Sequence, residues 1–294
     1  MTDLTTPIAN GADPERQSGS RATPVGSLPL TLRARRPGYA VMQECLRIQS
    51  SVPSRTSAQR FWGSDPVVPA ARSWFKGAVG ERRVAAELER LGPAFTVLHA
   101  VPVGTGSTDI DHLVIGPSGV FSINTKNHSG QRVFVGGGSF MVGGKKTSHI
   151  GAAQSEGRKA TRLLSAAAGG QIEVEPLLVV AADQIRFGKK RPPVVVLTPE
   201  QVRPWISGRA RAHSDEAVRY LSMLAEDRGT WHAAAVVLDD TLRLEQRFDR
   251  LVREVEGARL RRRRVALAVF LGVVGVPVAG LIALSSVAAS LLGG

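Results

Sequence analysis

Thr108–Asn127 reads TDIDHLVIGPSGVFSINTKN, two β-prone runs on either side of Gly116-Pro117-Ser118-Gly119. Proline is favoured at the second position of a tight turn and glycine at the last, so the stretch predicts a β-hairpin. A loop of two or four residues sets Asp111 opposite Asn124 and Asp109 opposite Lys126. Side chains alternate along a strand, so these four project from one face, which Leu113, Ile115 and Val120 continue. A three-residue loop would shift the parity and part them. Carboxylates held roughly 5 Å from an amide and a lysine across a hairpin are costly on a covered sheet unless they are paired or bind a cation. Hard oxygen ligands suit Mg2+, and a neighbouring lysine can stabilise developing negative charge or help activate an attacking water. The plain alternative is an Asp109–Lys126 cross-strand ion pair on a solvated face.

Working outward, Gly77–Leu91 places Val84, Leu88 and Leu91 at helical spacing, with Glu81 on the same inward stripe. Phe95–Val103 reads as a strand before the hairpin. After it come weaker strands at Gln131–Val135 and Ser139–Val142, joined by Gly136, Gly137 and Gly138. A second helix over Ile150–Ala167 presents Ala153, Gly157, Ala160 and Leu164 on one side. Pro176–Ala182 and Pro193–Thr198 read as buried strands, and Pro199–Ile206 as a short helix. The order within residues 74–208 is helix, three-stranded antiparallel meander, helix, strand, which predicts one α/β domain. Residues 209–264 are helical in pattern, a juxtamembrane region in which Leu244, Phe248, Leu251 and Val255 form a packing stripe. Residues 1–73, rich in Pro, Ser, Gly and Arg, show apolar periodicity only around Tyr39–Ile48 and are expected to be mostly disordered.

The formal charge is +13 over 294 residues. Such a balance favours polyanionic partners, nucleic acid or the anionic leaflet of a membrane. The lone cysteine, Cys45, excludes an internal disulfide and Cys-based zinc sites, and fits a reducing compartment. The histidines have neither HxxxH nor HxH spacing, so no zinc site is expected. Gly143-Gly144-Lys145-Lys146-Thr147 fails the phosphate-loop pattern at two positions and reads as a flexible basic turn. The loop basic cluster Arg186, Lys189, Lys190 and Arg191 is as readily solvated as phosphate-binding. Val265–Leu292 carries no charged side chain and is longer than the ~20 residues that cross the hydrocarbon core. Arg259 and Arg261 to Arg264 precede it, as at a cytoplasmic membrane boundary. The expectation is a single-pass transmembrane helix over 265–292, a C-terminal anchor that holds the main domain in the cytoplasm at the cell membrane, with no secretory signal at the other end.

Three pieces together carry a family resemblance: Glu81 within GAVGERRVAAEL, Asp111 within IDHLVIGPSGVF, and INTKN at Ile123–Asn127. The chain resembles the NERD (nuclease-related) domain, a branch of the PD-(D/E)xK nuclease superfamily, closely over Trp74–Leu164 and in element order to about Ile206. The resemblance implies a restriction-endonuclease-like core and Mg2+-dependent hydrolysis of nucleic acid. It matches Glu81 to the acid of the first helix, Asp111 to the metal-binding aspartate, Lys126 to the catalytic lysine and Gln154 to a glutamine of the second helix. Glu81, Asp111 and Asn124 would surround the metal. The superfamily pattern has Glu or Asp where this chain has Asn124, an amide that can ligate through oxygen but adds no charge. Asp109, on the same face as Asp111, is the substitute at hand.

The expected function is therefore membrane-anchored phosphodiester hydrolysis of DNA or RNA with Mg2+. The rival is a non-catalytic scaffold that keeps the nuclease fold and gathers nucleic acid or proteins at the membrane. Position 124 separates the two.

Overall fold

A computed structural model of the chain describes residues 31–103, 109–231 and 241–292, with side chains at 272 and 274–292 outside that description. Within the described residues the helices are α1 (Tyr39–Ser50), α2 (Ser57–Phe61), α3 (Arg72–Leu88), α4 (His149–Ala168), α5 (Pro199–Ser207), α6 (Asp215–Glu226), α7 (Arg228–Trp231) and α8 (Thr241–Leu292). The strands are β1 (Thr96–Pro102), β2 (Asp109–Gly116), β3 (Gly119–Gly136), β4 (Ser139–Val142), β5 (Lys145–Thr147), β6 (Glu175–Phe187) and β7 (Val195–Leu197). The fold is mixed α/β. β1 to β5 follow one another by antiparallel pairing, whereas β6 lies parallel to β3 and β7 parallel to β6. A parallel neighbour needs a crossover, and α4 lies on the connection between β3 and β6.

The hairpin register is the one its turn dictates: Gly116 pairs with Gly119 across Pro117-Ser118, and the ladder runs to His112↔Ile123. Alternation then sorts the core into two faces. Leu113, Ile115 and Val120 share a cluster with Ala160 and Leu164 of α4, while Val114, Phe121 and Ile123 pack with Val84 and Leu88 of α3. α3 and α4 therefore cover opposite faces. Gly80 lets α3 lie close to β3, since a Cβ there would come within 2.8 Å of Asn127 Cβ. The two strands expected at Gly119–Asn127 and Gln131–Val135 are one strand, β3, with a register shift between His128 and Arg132.

The expectation of disorder over 1–73 needs correction for the described part. Leu32–Ala71 contains α1, α2 and two 3-10 turns. Met42, Cys45 and Leu46 of α1 are buried with Phe75 and Ala78 of α3 and Phe248, Leu251 and Val255 of α8. Burial pushes the Cys45 thiol up to about 11. The apolar periodicity around Tyr39–Ile48 is the face that packs, and the surrounding Pro- and Ser-rich composition gave no sign of partners as distant as Phe248 and Val255. Residues 1–30 and Thr108, the first residue of the expected second strand, lie outside the described residues. So do the side chains of most of Val265–Leu292; among the described residues no helix is long and apolar enough to cross a membrane.

Candidate functional site

Asp111 occupies a break in strand pairing on both sides. Toward β1 the ladder runs Val101↔Ile110 and His99↔His112, passing over Ala100 and Asp111. Toward β3 it ends at His112↔Ile123, one step short of the pair Asp111 and Asn124 would make. Ala100 adopts φ 48°, a left-handed conformation rare outside glycine, and its carbonyl accepts from the Arg35 guanidinium. On the other side the Asp111 carboxylate itself accepts the Thr125 N–H at 2.6 Å, a side chain standing in for a strand partner. The sheet is thus open at Asp111, and groups from both faces meet there.

From the α3 face comes Glu81, 8% exposed, whose carboxylate accepts the Gly38 N–H at the start of α1. From the α4 face comes Glu156, which receives the Asn124 side-chain amide on both carboxylate oxygens at 2.8 Å. Asp109 completes the set beside Arg35. Lys126 is half-buried, donates to its neighbour's carbonyl, Thr125 O, at 3.0 Å, and among the described residues makes no ion pair. The plain Asp109–Lys126 salt bridge is therefore not what forms.

The electrostatics follow from this crowding. Burial pushes Glu81 well above the usual carboxyl range, and repulsion from Asp111 and Asp109 adds to it. Asp109 is pushed to about 6, first by burial and then by Asp111, and Glu156 to about 7, chiefly by burial. Asp111 is raised by burial against the opposing pull of Lys126 and of the Thr125 N–H. The Lys126 ammonium and the Arg35 guanidinium do not balance four carboxyl groups in a low dielectric, and such a set is stable when some are protonated or when a further cation joins them.

The residues fit Mg2+ in donor chemistry. They offer hard carboxylate oxygens, and the buried Asn124 Oδ1 has no hydrogen-bond partner. They do not form a drawn-together cage: among the described residues no group of three or more His, Cys, Asp or Glu stands in a metal-holding arrangement. Of the residues picked from the sequence, Glu81, Asp111, Asn124, Lys126 and Asp109 share this region. Gln154 is half-buried on α4, but the side chain of that helix bonded to the cluster is Glu156. Glu156 was legible on the inward stripe, beside Gly157 and three residues after Ala153. Arg35 and Gly38 had no such signal, being in a stretch read as disordered.

Two histidine pairs also escaped the spacing argument. His99 and His112 meet across β1 and β2 with Nδ1 atoms 2.8 Å apart, and burial lowers both, His99 to about 4. His128 and His149 stack with Nε2 atoms 3.2 Å apart, near Lys126 in the middle of β3.

Residues 76–181 match the family model of the nuclease-related domain, a span that contains Glu81, Asp109, Asp111, Asn124, Lys126 and Glu156. The chain is also similar to an uncharacterized protein of Bacillus anthracis, 45% identical over 60 residues, which is 19% of this chain and 28% of that protein's length. No solved structure matches.

Proposed function

We propose that the chain is a membrane-anchored phosphodiesterase of restriction-endonuclease-like type, hydrolysing DNA or RNA with Mg2+. The observation that supports this best is the opening of the sheet at Asp111, where Glu81, Asp109, Asp111 and Glu156 crowd beside Lys126. Asp111, Glu81 and the Asn124 Oδ1 would hold the ion, with Asp109 supplying the charge that position 124 lacks. Mg2+ bound there supplies positive charge for a phosphate and for the water that attacks it. The chain's own groups do the rest. Lys126 brings an ammonium to the oxygen on which negative charge grows. Glu156, with a carboxyl near 7, can take up or release a proton at neutral pH. The basic balance of +13 draws a polyanion toward the domain.

The membrane part of the reading rests on Val265–Leu292, uncharged throughout and preceded by arginines. In its described portion Leu267, Phe270 and Val273 are 58%, 61% and 67% exposed, apolar surface that a bilayer would cover. The domain would then stand on the cytoplasmic side of the cell membrane.

The second reading, a binding scaffold without catalysis, is favoured by the amide at position 124, which Glu156 holds in a neutral-to-charged hydrogen bond. Incubating the full chain in detergent with plasmid DNA and with RNA, in Mg2+ and in EDTA, separates the two. Metal-dependent cleavage supports the phosphodiesterase, and retention of nucleic acid without cleavage supports the scaffold.

A further inference from the structure

α2 is a five-residue helix that ends in two exposed aromatic rings. Phe61 and Trp62 are 68% and 58% exposed and meet edge to face with centroids 5.3 Å apart. Nothing in the candidate site uses them. Their support is α8. Gly63, at φ 69°, brings its backbone against that helix so closely that a Cβ there would lie 2.6 Å from the Ala258 carbonyl oxygen and 2.8 Å from the Arg262 nitrogen. Two arginines of α8 fasten the turn: Arg261 donates to Arg60 O at 3.2 Å and Arg262 to Gly63 O at 3.3 Å. The position along α8 is informative. Arg262 precedes Val265, the first residue of the uncharged stretch, by three residues, or ~4.5 Å of helix. The aromatic pair therefore stands level with the boundary between the arginines and the apolar segment. Arg259 and Arg261 to Arg264 are exposed, and among the described residues none of them is in an ion pair.

We infer that Phe61 and Trp62 are an interfacial anchor, which seats in the headgroup layer of an anionic bilayer while the neighbouring arginines meet its phosphates. An aromatic ring with an apolar body and a polar edge suits that layer, and tryptophan is enriched there. Leu267, Phe270 and Val273 are exposed on α8 just beyond this level, which argues for lipid as the occupant. Clamped this way, α2 fixes the tilt of the domain, so the candidate site keeps one orientation to the membrane instead of swinging on a single helix. The inference rests on the membrane reading above and is independent of the nuclease reading.

The test uses the full chain reconstituted in vesicles of phosphatidylglycerol and phosphatidylcholine, with lipids brominated at a shallow acyl position. Flotation with the vesicles checks the membrane reading. Quenching of tryptophan fluorescence by the shallow bromines checks the anchor, and Trp62→Phe should remove the quenched component while flotation is unchanged. Equal quenching in the two proteins, with flotation intact, overturns the anchor and leaves the membrane span standing. Failure to float overturns both. A dimer in detergent that Phe61→Ser with Trp62→Ser dissociates would also overturn it, by assigning the rings to a second copy of this chain.

Discussion

The Asn124 side-chain amide donates to both carboxylate oxygens of Glu156, while its own buried Oδ1 has no hydrogen-bond partner. That one contact fixes the orientation of the amide and ties α4 to β3. It also explains why position 124 tolerates a neutral side chain: a carboxylate there would face Glu156 directly. Hydrogen bonds to charged groups contribute about 1.5–3 kcal/mol, so Glu156→Ala should destabilise the protein by that order in urea denaturation, leaving both ends of the Asn124 amide unpaired. An unchanged midpoint would mean that the pair does not hold in solution.

Asn124→Asp replaces this hydrogen bond by two carboxylates in contact. In EDTA at pH 8 the variant should melt below wild type, and the deficit should shrink at pH 5, where one of the two carboxyls is protonated. Mg2+ at millimolar concentration should restore the variant more than it raises wild type, because the added oxygen brings charge to the ion. A deficit that Mg2+ does not change contradicts the metal assignment at this position.

The pH dependence of Glu156 itself has a definite sign. Its carboxyl stands at about 7 in the fold against an ordinary value near 4 in the unfolded chain. Between those values the folded state holds the extra proton, so this group's contribution to stability falls as pH rises and is lowest above 7. The buried histidines run the other way below pH 6.5, since their values are lowered, but they are common to both proteins in a comparison. Glu156→Gln in EDTA should therefore gain in melting temperature relative to wild type from pH 5 to pH 8. A difference that is flat with pH would show an ordinary carboxyl.

Much of this geometry was readable in advance, and the reasons differ by element. Pro117 and Gly119 marked a tight turn, and a loop of two or four residues carried the register that sets Asp111 and Asn124 on one face; the two-residue loop, Gly116 paired with Gly119, is what the fold adopts. Glu81 and the buried positions of α3 and α4 followed from helical period. What local pattern could not supply was pairing between distant elements. The stripe of α4 contains Glu156 as plainly as Gln154, yet only the fold says which of them meets Asn124. The opening at Asp111 depends on the irregular Ala100, whose conformation nothing in its own side chain foretells. The periodicity at Tyr39–Ile48 marked the apolar face of α1, but its order depends on Phe75 and Phe248, which complete that face from elsewhere in the chain.

The role of α1 in the fold gives its own prediction. Met42 is fully buried between α3 and α8, and truncating such a side chain costs about 2–5 kcal/mol. Met42→Ala should lower the denaturation midpoint of the whole domain in one cooperative transition. Were residues 31–73 an appendage, the substitution would leave the transition in place.

The central claim is that the opened sheet at Asp111 is a hydrolytic site. The measurement that tests it most directly is the rate of plasmid or RNA cleavage by the full chain in Mg2+, set beside Asp111→Ala and Lys126→Ala whose folding has been verified by melting. Cleavage that needs the metal and falls by about 100-fold or more in each variant, on the scale of losing one electrostatic stabiliser, is the predicted result. Cleavage that survives Asp111→Ala, or a wild-type protein that binds nucleic acid and Mg2+ yet leaves the polymer intact, would contradict it.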